Sequence, residues 1–266
     1  MISQSKITTE VSNAGQKKFL LTVATLVTNH EQYEAMLESA IAAGFDRSDV
    51  NFIYIDNSST NRFDGFSGIN HFLNLASCEY LVICHQDILF EFDQLSDLLS
   101  KIQEVDNLDE KWGVLGNAGK RANAKAVARI TDPMSRDLSL GEFPEKVVSL
   151  DENFLVINMK HRIGTTPFLT GFHLYGTDLC FNARQYGLNC YVIDFHLRHI
   201  SAGKLDDSYW KIQRSLVTQY SSRKKIEVVQ SMCSRFFISS SSTANKIFNN
   251  KHILNLHKSI LKKAIK

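Results

Sequence analysis

Three polar clusters carry the side chains best suited to chemistry: Thr28-Asn29-His30, Asp56-Asn57-Ser58 and His85-Gln86-Asp87. Each follows an apolar run of strand length. A carboxylate at the end of a buried strand is costly unless it is paired, hydrogen-bonded or bound to a metal. The oxygen atoms of Asp87 suit Mg²⁺ or Mn²⁺, and those ions in turn suit a diphosphate. The alternative is that Asp87 only caps the turn or helix that follows it.

Asp56 is a second candidate, because its carboxylate can accept hydrogen bonds from a ribose or from the edge of a base. The turn-forming residues Asn57 and Ser58 leave a purely structural turn as the alternative. The sequence contains neither G-x-G-x-x-G nor G-x-x-x-x-G-K-[ST]. Dinucleotide oxidoreduction and P-loop phosphoryl transfer therefore lack their usual phosphate cradle.

Further candidates lie in the second half of the chain. Asp178, in YGTDLC, lies near a predicted helix start, where backbone N–H groups favour a carboxylate. It is either a general base for an acceptor hydroxyl or a plain N-terminal helix acid. His199 could ligate a metal or contact a diphosphate, and Lys204 could stabilise a leaving group. His196 and His199 form H-x-x-H. No Cys or further His lies at a spacing that would complete a zinc site, so zinc is disfavoured.

Alternating strands and helices must position these residues. Apolar, β-branched runs predict strands, and apolar residues at helical spacing predict helices. The predicted strands are Phe19–Val27, Asn51–Ile55, Tyr80–Cys84, Trp112–Leu115, Asn153–Met159 and Tyr191–Ile193. The predicted helices are Glu31–Ala43, Gly68–Ser77, Phe92–Val105, Thr177–Tyr186 and Asp207–Ser222, with a basic helix over Ile247–Lys266.

This alternation predicts an α/β fold with a mostly parallel sheet and helices on both faces. In such sheets ligands bind beyond the carboxyl ends of the strands, so the three polar clusters should converge on one crevice. Residues 120–150 are polar and irregular, which predicts a mobile loop. Gly44 is a suitable stop for the first helix.

Composition supports a globular chain with a large core: 44% of its 266 residues are hydrophobic and 22% are charged. The net charge of +2 is uneven, because residues 222–266 hold ten Lys or Arg and one acid. The first 221 residues hold 20 basic and 27 acidic groups. Five cysteines without a C-x-x-C pair predict buried free thiols in a reducing compartment.

At this point the order of motifs resembles the family-2-like glycosyltransferases of the GT-A fold, over about Phe19 to Tyr220. The matching pieces are the strand ending Val27-Thr28-Asn29, the strand ending Asp56-Asn57, Asn70…Ala76 before YLVICHQD, Leu150-Asp151-Glu152 before NFLVI, YGTDLCFNARQYG and HISAG. Each piece is weak alone, whereas their order and spacing together are fairly specific.

The resemblance implies roles for the candidate residues. Asp56 would bind the nucleoside of a nucleotide-sugar donor. Asp87 would match the last acid of the D-x-D motif and bind metal and diphosphate. Asp178 would match the base of inverting members, and His199 would match the His near the metal. The donor-binding set would be Thr28, Asp56, Asn57, Asn70, His85, Gln86, Asp87 and Lys204, with Asp87 and His199 on Mn²⁺ or Mg²⁺.

Two departures from the family pattern matter. His85 stands where D-x-D has its first acid, so metal dependence is less secure than nucleotide-sugar binding. Its imidazole could ligate a metal, contact the ribose or merely pack. Thr177 stands where many relatives have an acid, which leaves Asp178 as the sole carboxylate of that motif.

The predicted enzyme moves a sugar, with UDP-sugar as the expected donor, to a glycan or lipid-linked acceptor in bacterial surface polysaccharide synthesis, with inversion. The alternatives are a nucleotidyltransferase, which lacks a Gly-rich basic loop after the first strand, and a non-catalytic binding module on a degenerate GT-A fold. The expected organisation is a flexible leader at 1–18, a catalytic domain at 19–222 with halves 19–120 and 121–222, and a basic helical extension at 223–266.

The basic tail gives an expectation about location. No signal peptide and no long apolar run is visible, so we expect a cytoplasmic protein. Residues 246–266 alternate apolar and Lys side chains and could lie on the anionic inner face of the membrane. A packed terminal helix or a dimer contact is the alternative, and the oligomeric state is open. Nucleic-acid binding is disfavoured because aromatic residues and Arg do not interleave along the tail.

Overall fold

The computed structural model describes residues 18–201, 203, 206–222, 227–230, 235–239, 241–250 and 253. The chain divides into two compact units, residues 1–212 and 213–266. The predicted leader, apart from Lys18, lies outside the described residues, as does most of the predicted basic helix after Phe248. None of the described helices is long and apolar enough to cross a bilayer.

Strands and helices largely alternate over the first 120 or so residues, as predicted, whereas seven strands follow one another between Trp112 and Asn158. The strands are β1 (Phe19–Val27), β2 (Val50–Asp56), β3 (Cys78–Cys84), β4 (Ile88–Leu89), β5 (Trp112–Gly116), β6 (Ala118–Lys120), β7 (Ala126–Asp132), β8 (Ser135–Leu140), β9 (Glu145–Val147), β10 (Ser149–Leu150), β11 (Phe154–Asn158), β12 (Asn189–Val192), β13 (Leu197–His199), β14 (Glu227–Gln230) and β15 (Arg235–Ile238). The helices are α1 (His30–Ala40), α2 (Gly65–Leu75), α3 (Leu95–Leu108), α4 (Tyr175–Gln185), α5 (Asp207–Ser222) and α6 (Ser242–Phe248). A π-helical turn, Ile41–Phe45, follows α1 and contains the predicted stop Gly44, at φ +85°.

Seven strands form the main sheet in the order β2-β1-β3-β11-β5-β12-β9. The pairs β1–β2, β1–β3 and β5–β12 are parallel, whereas β11 is antiparallel to both of its neighbours and β9 to β12. Five strands therefore run in one direction. The predicted α/β class with a mostly parallel sheet flanked by helices is confirmed.

The side chains on the two faces of the main sheet contribute to two apolar layers. Val82 and Cys84 of β3 belong to the cluster that packs with buried residues of α1 and α3, such as Met36 and Leu98. Their neighbours Leu81 and Ile83 are also buried and point to the other face, since side chains alternate along a strand. Four cysteines, Cys78, Cys84, Cys180 and Cys190, are buried free thiols as predicted, and Cys233 lies outside the described residues.

The prediction of a mobile loop over residues 120–150 is wrong. This segment contains β7, β8, β9 and β10. A second sheet has the order β10-β6-β7-β13-β4, with β8 on the other edge of β7. The strands are short and half exposed, so the period-2 apolar signal is weak there. Pairing to distant strands, not local periodicity, holds the segment in place.

The register brings the polar clusters to the same end of the main sheet, where its strands terminate. Val27 lies opposite Asp56, and Ala24 lies opposite Ile83, so β1, β2 and β3 end together. The antiparallel β11 begins at the same edge, where Phe154 lies opposite Cys84. The three strand ends therefore lie side by side as predicted, but no residue of Asp56-Asn57-Ser58 lines the cavity that residues of the other two clusters share.

The second unit contains a hairpin of β14 and β15 and the short helix α6. Asn249, which follows α6, accepts a hydrogen bond from the backbone N–H of Phe237 at 2.7 Å and donates one to its carbonyl at 2.8 Å. Phe237 and Phe248 also pack with ring centroids 4.8 Å apart. These contacts fix α6 to the hairpin. The side chain of Ser241 caps the start of this helix.

Close packing at the start of α4 generates a stability prediction. A Cβ atom on Gly176 would lie 2.5 Å from the carbonyl oxygen of Leu150, a backbone atom that cannot turn away. We expect Gly176→Ala to lower the free energy of unfolding by about 2 kcal/mol, as overpacking does. Helix propensity alone predicts the opposite sign, since Ala is favoured over Gly by about 1 kcal/mol. Urea unfolding measures the difference.

Gly203→Ala is the matched control, because no described atom lies within 4 Å of the added Cβ and its φ is ordinary. It should leave the unfolding midpoint unchanged. A Gly176→Ala protein as stable as the wild type would show that α4 is not held against β10 as described.

Candidate metal centre

A short strand pair places three candidate ligands together. His85 and Asp87 follow β3, and the next residue, Ile88, begins β4. β4 pairs antiparallel with β13, with Ile88 opposite His199. The backbone N–H of Ile200 donates to the carbonyl of Asp87 at 3.0 Å. His199 is thereby held beside a residue that lies more than one hundred positions earlier.

The side chains of His85, Asp87 and His199, called here the triad, offer ligand atoms that all lie within 4.8 Å of one another. Asp87 Oδ1 lies 3.4 Å from Nε2 of His199 and 4.0 Å from Nδ1 of His85. Its other oxygen accepts a short hydrogen bond from the Ser201 hydroxyl. This grouping could hold a metal ion.

Burial and charge set the ionisation of the triad. Burial works to raise the pKa of Asp87, but the His199 and Ser201 side chains outweigh it and hold that pKa well below its ordinary value. Burial and the nearby His199 lower the pKa of His85. Burial lowers the pKa of His199, but the Asp87 carboxylate outweighs this and raises it. The triad therefore holds a carboxylate beside a neutral His85, two of the forms that bind cations.

One buried atom of the triad lacks a hydrogen bond. Nε2 of His199 is buried and, although 3.4 Å from Asp87, forms no hydrogen bond to any described residue. The Asp87 carboxylate faces this nitrogen as an ion-pair partner, and a bound cation could replace the proton between the two atoms. Two imidazole nitrogens and one carboxylate are a fitting donor set for a divalent transition metal.

Tyr175, at the start of α4, orients His85. Its hydroxyl oxygen lies 2.6 Å from Nε2 of His85 and donates to the carbonyl of Glu152 at 3.3 Å. A carbonyl can only accept, so the tyrosine proton points to it and Nε2–H of His85 donates to the tyrosine oxygen. Nδ1 of His85 then carries the free lone pair, and it is the nitrogen that faces Asp87.

A cavity of about 250 Å³ opens beside the triad at the carboxyl ends of β1 and β3. The predicted residues Thr28, His85, Gln86 and Asp87 line it, together with apolar side chains and Tyr175. The Gln86 side-chain amide connects the polar residues of the lining. Its oxygen accepts hydrogen bonds from the backbone N–H groups of Thr28 and Asn29, at 2.7 and 2.9 Å. Its nitrogen donates to the Thr28 hydroxyl at 2.9 Å. We call this space the inner cavity.

A larger cavity of about 790 Å³, the outer cavity, also has a residue of the triad in its lining. His199 lines it, whereas His85 and Asp87 line the inner cavity. Phe92 and residues of the β7–β8 hairpin, including Thr131 and Arg136, form its other walls. Residues of the triad therefore line both cavities.

Three predicted donor contacts have other partners. Asp56, at the end of β2, accepts from the backbone N–H of Ser58 at 2.9 Å and lies 3.4 Å from Nε2 of His30. Asn57 is buried and bonds the backbone of the loop that follows it, from its amide nitrogen to the Phe63 carbonyl at 2.7 Å. Asn70 holds the backbone N–H and carbonyl of Thr165, both at 3.0 Å.

Asp178 is fully buried in the first turn of α4. Its oxygens accept from the backbone N–H of Thr166 at 2.6 Å, the Thr166 hydroxyl at 2.8 Å and the Asn182 amide at 3.2 Å. The carboxylate therefore ties α4 to the segment before it. Its role as a general base stays a prediction, since it would have to leave these partners to reach an acceptor hydroxyl.

The first histidine of H-x-x-H, His196, makes no hydrogen bond to the triad among the described residues and has other partners. His196 bonds the Thr131 hydroxyl at 2.9 Å through Nε2, and its ring stacks on Phe92 with centroids 3.8 Å apart. The pair His196 and His199 is thus not used as a zinc motif. Lys204 lies outside the described residues.

Sequence reasoning missed Tyr175 and Ser201 as supports of the triad. Both belong to motifs singled out in the sequence, YGTDLC and HISAG, but their hydroxyls reach residues 90 and 114 positions away. Local pattern carries no signal for contacts of that separation. His85 was expected in the donor set, with metal ligation as one of its alternatives, and the structure groups it with Asp87 and His199.

Glu152 gives a pH prediction. Burial, followed by the charge of Asp151, raises its pKa from 4.5 to about 8, although the N–H groups of Gly176 and Leu174 oppose this. Between about pH 4.5 and 8 the folded protein keeps a proton that the unfolded chain releases. The free energy of unfolding should therefore fall with rising pH in this window, by no more than about 1.4 kcal/mol per pH unit.

Glu152→Gln cannot ionise, so its melting temperature should fall less than that of the wild type between pH 5.5 and 8.5. The exposed Glu142→Gln is the control and should behave as the wild type. Equal pH profiles for wild type and Glu152→Gln would contradict the raised pKa.

No protein-family model matches the chain. Among solved structures it is similar to A197 from STIV (12% identity, TM-score 0.42, 69% of this chain and 87% of that one) and S. aureus TarS (11%, 0.47, 76% and 39%). It is also similar to mouse xyloside xylosyltransferase 1 in its apo form (9%, 0.32, 76% and 93%). At these values the likeness is too distant to assign an activity.

The sequence comparison is stronger. The chain is 30% identical over 220 residues to a protein of Fuscovulum blasticum called "ATP synthase subunits region ORF 6". The match covers 80% of this chain and 88% of that protein. The chain therefore belongs to the family of the Fuscovulum blasticum ATP synthase subunits region ORF 6 protein.

Proposed function

We propose that the protein is a glycosyltransferase that uses a nucleoside-diphosphate sugar. The observation that carries this proposal is the triad, whose residues line two cavities and two of which, His85 and Asp87, directly follow β3. Group transfer requires two substrate spaces that meet at one centre, and phosphates require a cation or positive groups there. The motif order of the sequence, which resembles family-2-like glycosyltransferases of the GT-A fold, points to the same chemistry.

In this proposal the inner cavity takes part of the donor and the triad holds the cation at its diphosphate. When bound, the cation supplies positive charge that offsets the charge of the leaving diphosphate. Mn²⁺ is favoured over Mg²⁺, because Mg²⁺ prefers oxygen ligands and two of the three donors here are imidazoles. Asp56 is proposed for the nucleoside, and UDP is the expected nucleotide.

The outer cavity is proposed for the acceptor, a glycan or a lipid-linked sugar of bacterial surface polysaccharide synthesis. The acceptor hydroxyl oxygen bonds to the anomeric carbon while the bond from that carbon to the diphosphate oxygen breaks. The electron pair leaves with the diphosphate, and the hydroxyl proton passes to a base, for which Asp178 is the prediction. A single displacement of this kind inverts the anomeric centre.

A second candidate function is a binding module without catalysis. The burial of Asp178 and its bonds to Thr166 and Asn182 favour it, because they leave this carboxylate occupied. Donor binding by the wild type without transfer or hydrolysis, over a panel of acceptors, would support the module. Transfer would exclude it.

Asp87→Asn tests the donor site. Without the carboxylate we expect Mn²⁺ affinity to fall by more than the roughly 10- to 100-fold that loss of an outer-shell partner costs. Metal-dependent binding of UDP and donor hydrolysis or transfer should fall with it. Calorimetry with Mn²⁺ and UDP, alone and together, measures the first two effects.

Asp46→Asn is the control, an exposed acid in the turn after α1 and away from the triad. It should bind and react as the wild type. Full activity and unchanged Mn²⁺ affinity in Asp87→Asn would remove the basis of the proposal.

Tyr175→Phe tests the orientation of His85. The ring and its packing remain, but Nε2 of His85 loses its partner and Nδ1 is no longer fixed as the free nitrogen. We expect Mn²⁺ affinity to fall about tenfold or more. ¹⁵N NMR of His85 in the metal-free protein should show a mixture of tautomers in place of one.

Tyr191→Phe is the matched control, a buried tyrosine whose hydroxyl donates to Asp109 at 2.8 Å. Its Mn²⁺ affinity should be that of the wild type. If Tyr175→Phe binds Mn²⁺ as tightly as this control, Tyr175 does not orient a metal ligand. That conclusion holds whether or not the protein is a transferase.

A further inference from the structure

A third cavity, of about 470 Å³, lies away from the triad. Asn189 and Cys190 at the start of β12 line it, and Asn189 lies opposite Trp112, where β5 begins. β5 and β12 run in the same direction as β1 and β3, so this is the opposite edge of the sheet from the inner cavity. We call this space the basic cavity.

The lining of the basic cavity carries three cations and one acid. Arg121 follows β6, Lys146 is exposed on the edge strand β9, and Arg184 is in the last turn of α4. Glu145 is the acid, and it pairs with Arg121 at 3.2 Å. Lys146 and Arg184 remain to give the cavity a positive surplus, which attracts anions.

Arg121 has an unused donor. Its Nε is buried and makes no hydrogen bond to any described residue, whereas its Nη2 binds Glu145. Gly141, at φ +90°, passes so close that an added Cβ would lie 3.2 Å from that Nη2. The guanidinium is held between Glu145 and Gly141, and the Arg121 side chain is 30% exposed, so an oxyanion in the cavity could accept hydrogen bonds from its other N–H groups.

We infer that the basic cavity binds a small molecule through a phosphate or diphosphate group, at a site separate from the triad. A guanidinium presents paired N–H donors that match phosphate oxygens, and an ammonium adds a mobile positive charge. Arg121 supplies N–H donors, and Lys146 and Arg184 supply charge from two other elements. The volume exceeds that of one phosphate, so the ligand carries a further group such as a sugar or nucleoside.

The test is binding of pyrophosphate and of glucose 1-phosphate to the full chain in EDTA, by calorimetry at low ionic strength. EDTA removes any cation from the triad, so binding there is suppressed. We expect Arg121→Gln and Lys146→Gln each to weaken binding about tenfold or more. Lys146 is exposed, so Lys146→Gln should keep the fold. It remains a test of the site even if Arg121→Gln, which also loses the ion pair with Glu145, does not fold.

Two controls separate this site from the proposed donor site. Arg47→Gln removes an exposed arginine near β2 and should bind as the wild type. Asp87→Asn should also bind pyrophosphate unchanged in EDTA, whether or not the transferase proposal holds. No binding to the wild type, or binding that Asp87→Asn weakens and Lys146→Gln does not, would overturn the inference.

Discussion

The burial of the Asp87 carboxylate is the constraint on which the candidate centre depends. A carboxylate at the end of a buried strand needs compensation, and here it comes from His199 and Ser201 on a segment far along the chain. The pairing of β4 with β13 delivers that segment. The second, smaller sheet therefore does more than extend the core, because it closes the site that β3 begins.

A second buried carboxylate, that of Asp178, organises the segment around the start of α4, from which Tyr175 reaches the triad. Asp178 bonds the backbone and hydroxyl of Thr166, and in the same helical turn Tyr175 reaches His85. The start of α4 thus couples the packing of the 164–174 segment to the orientation of a candidate metal ligand. Gly176 allows this close approach by letting the helix pass beside the Leu150 carbonyl. In this arrangement Asp178 contributes through position even if it never moves a proton.

Sequence patterns predicted the elements wherever burial is continuous. β1 and α5 have the predicted bounds, because a nine-residue apolar run and a long amphipathic pattern leave few alternatives. The segment 120–150 was misjudged because strands such as β8 are polar and half exposed, and distant pairing defines them. The expectation that ligands bind where strands end singled out Asp87, and the motif resemblance singled out His199, and the structure places these two side chains together. Tyr175 could not be found, since its contact joins elements 90 residues apart.

We propose that His85, Asp87 and His199 jointly bind a divalent cation at a nucleotide-sugar site. Anomalous diffraction at the manganese edge, from crystals grown with Mn²⁺ and UDP, can locate that cation. The prediction is a single strong peak within coordination distance of all three side chains and of the diphosphate. A peak elsewhere, or UDP bound with no metal at these residues, would contradict it.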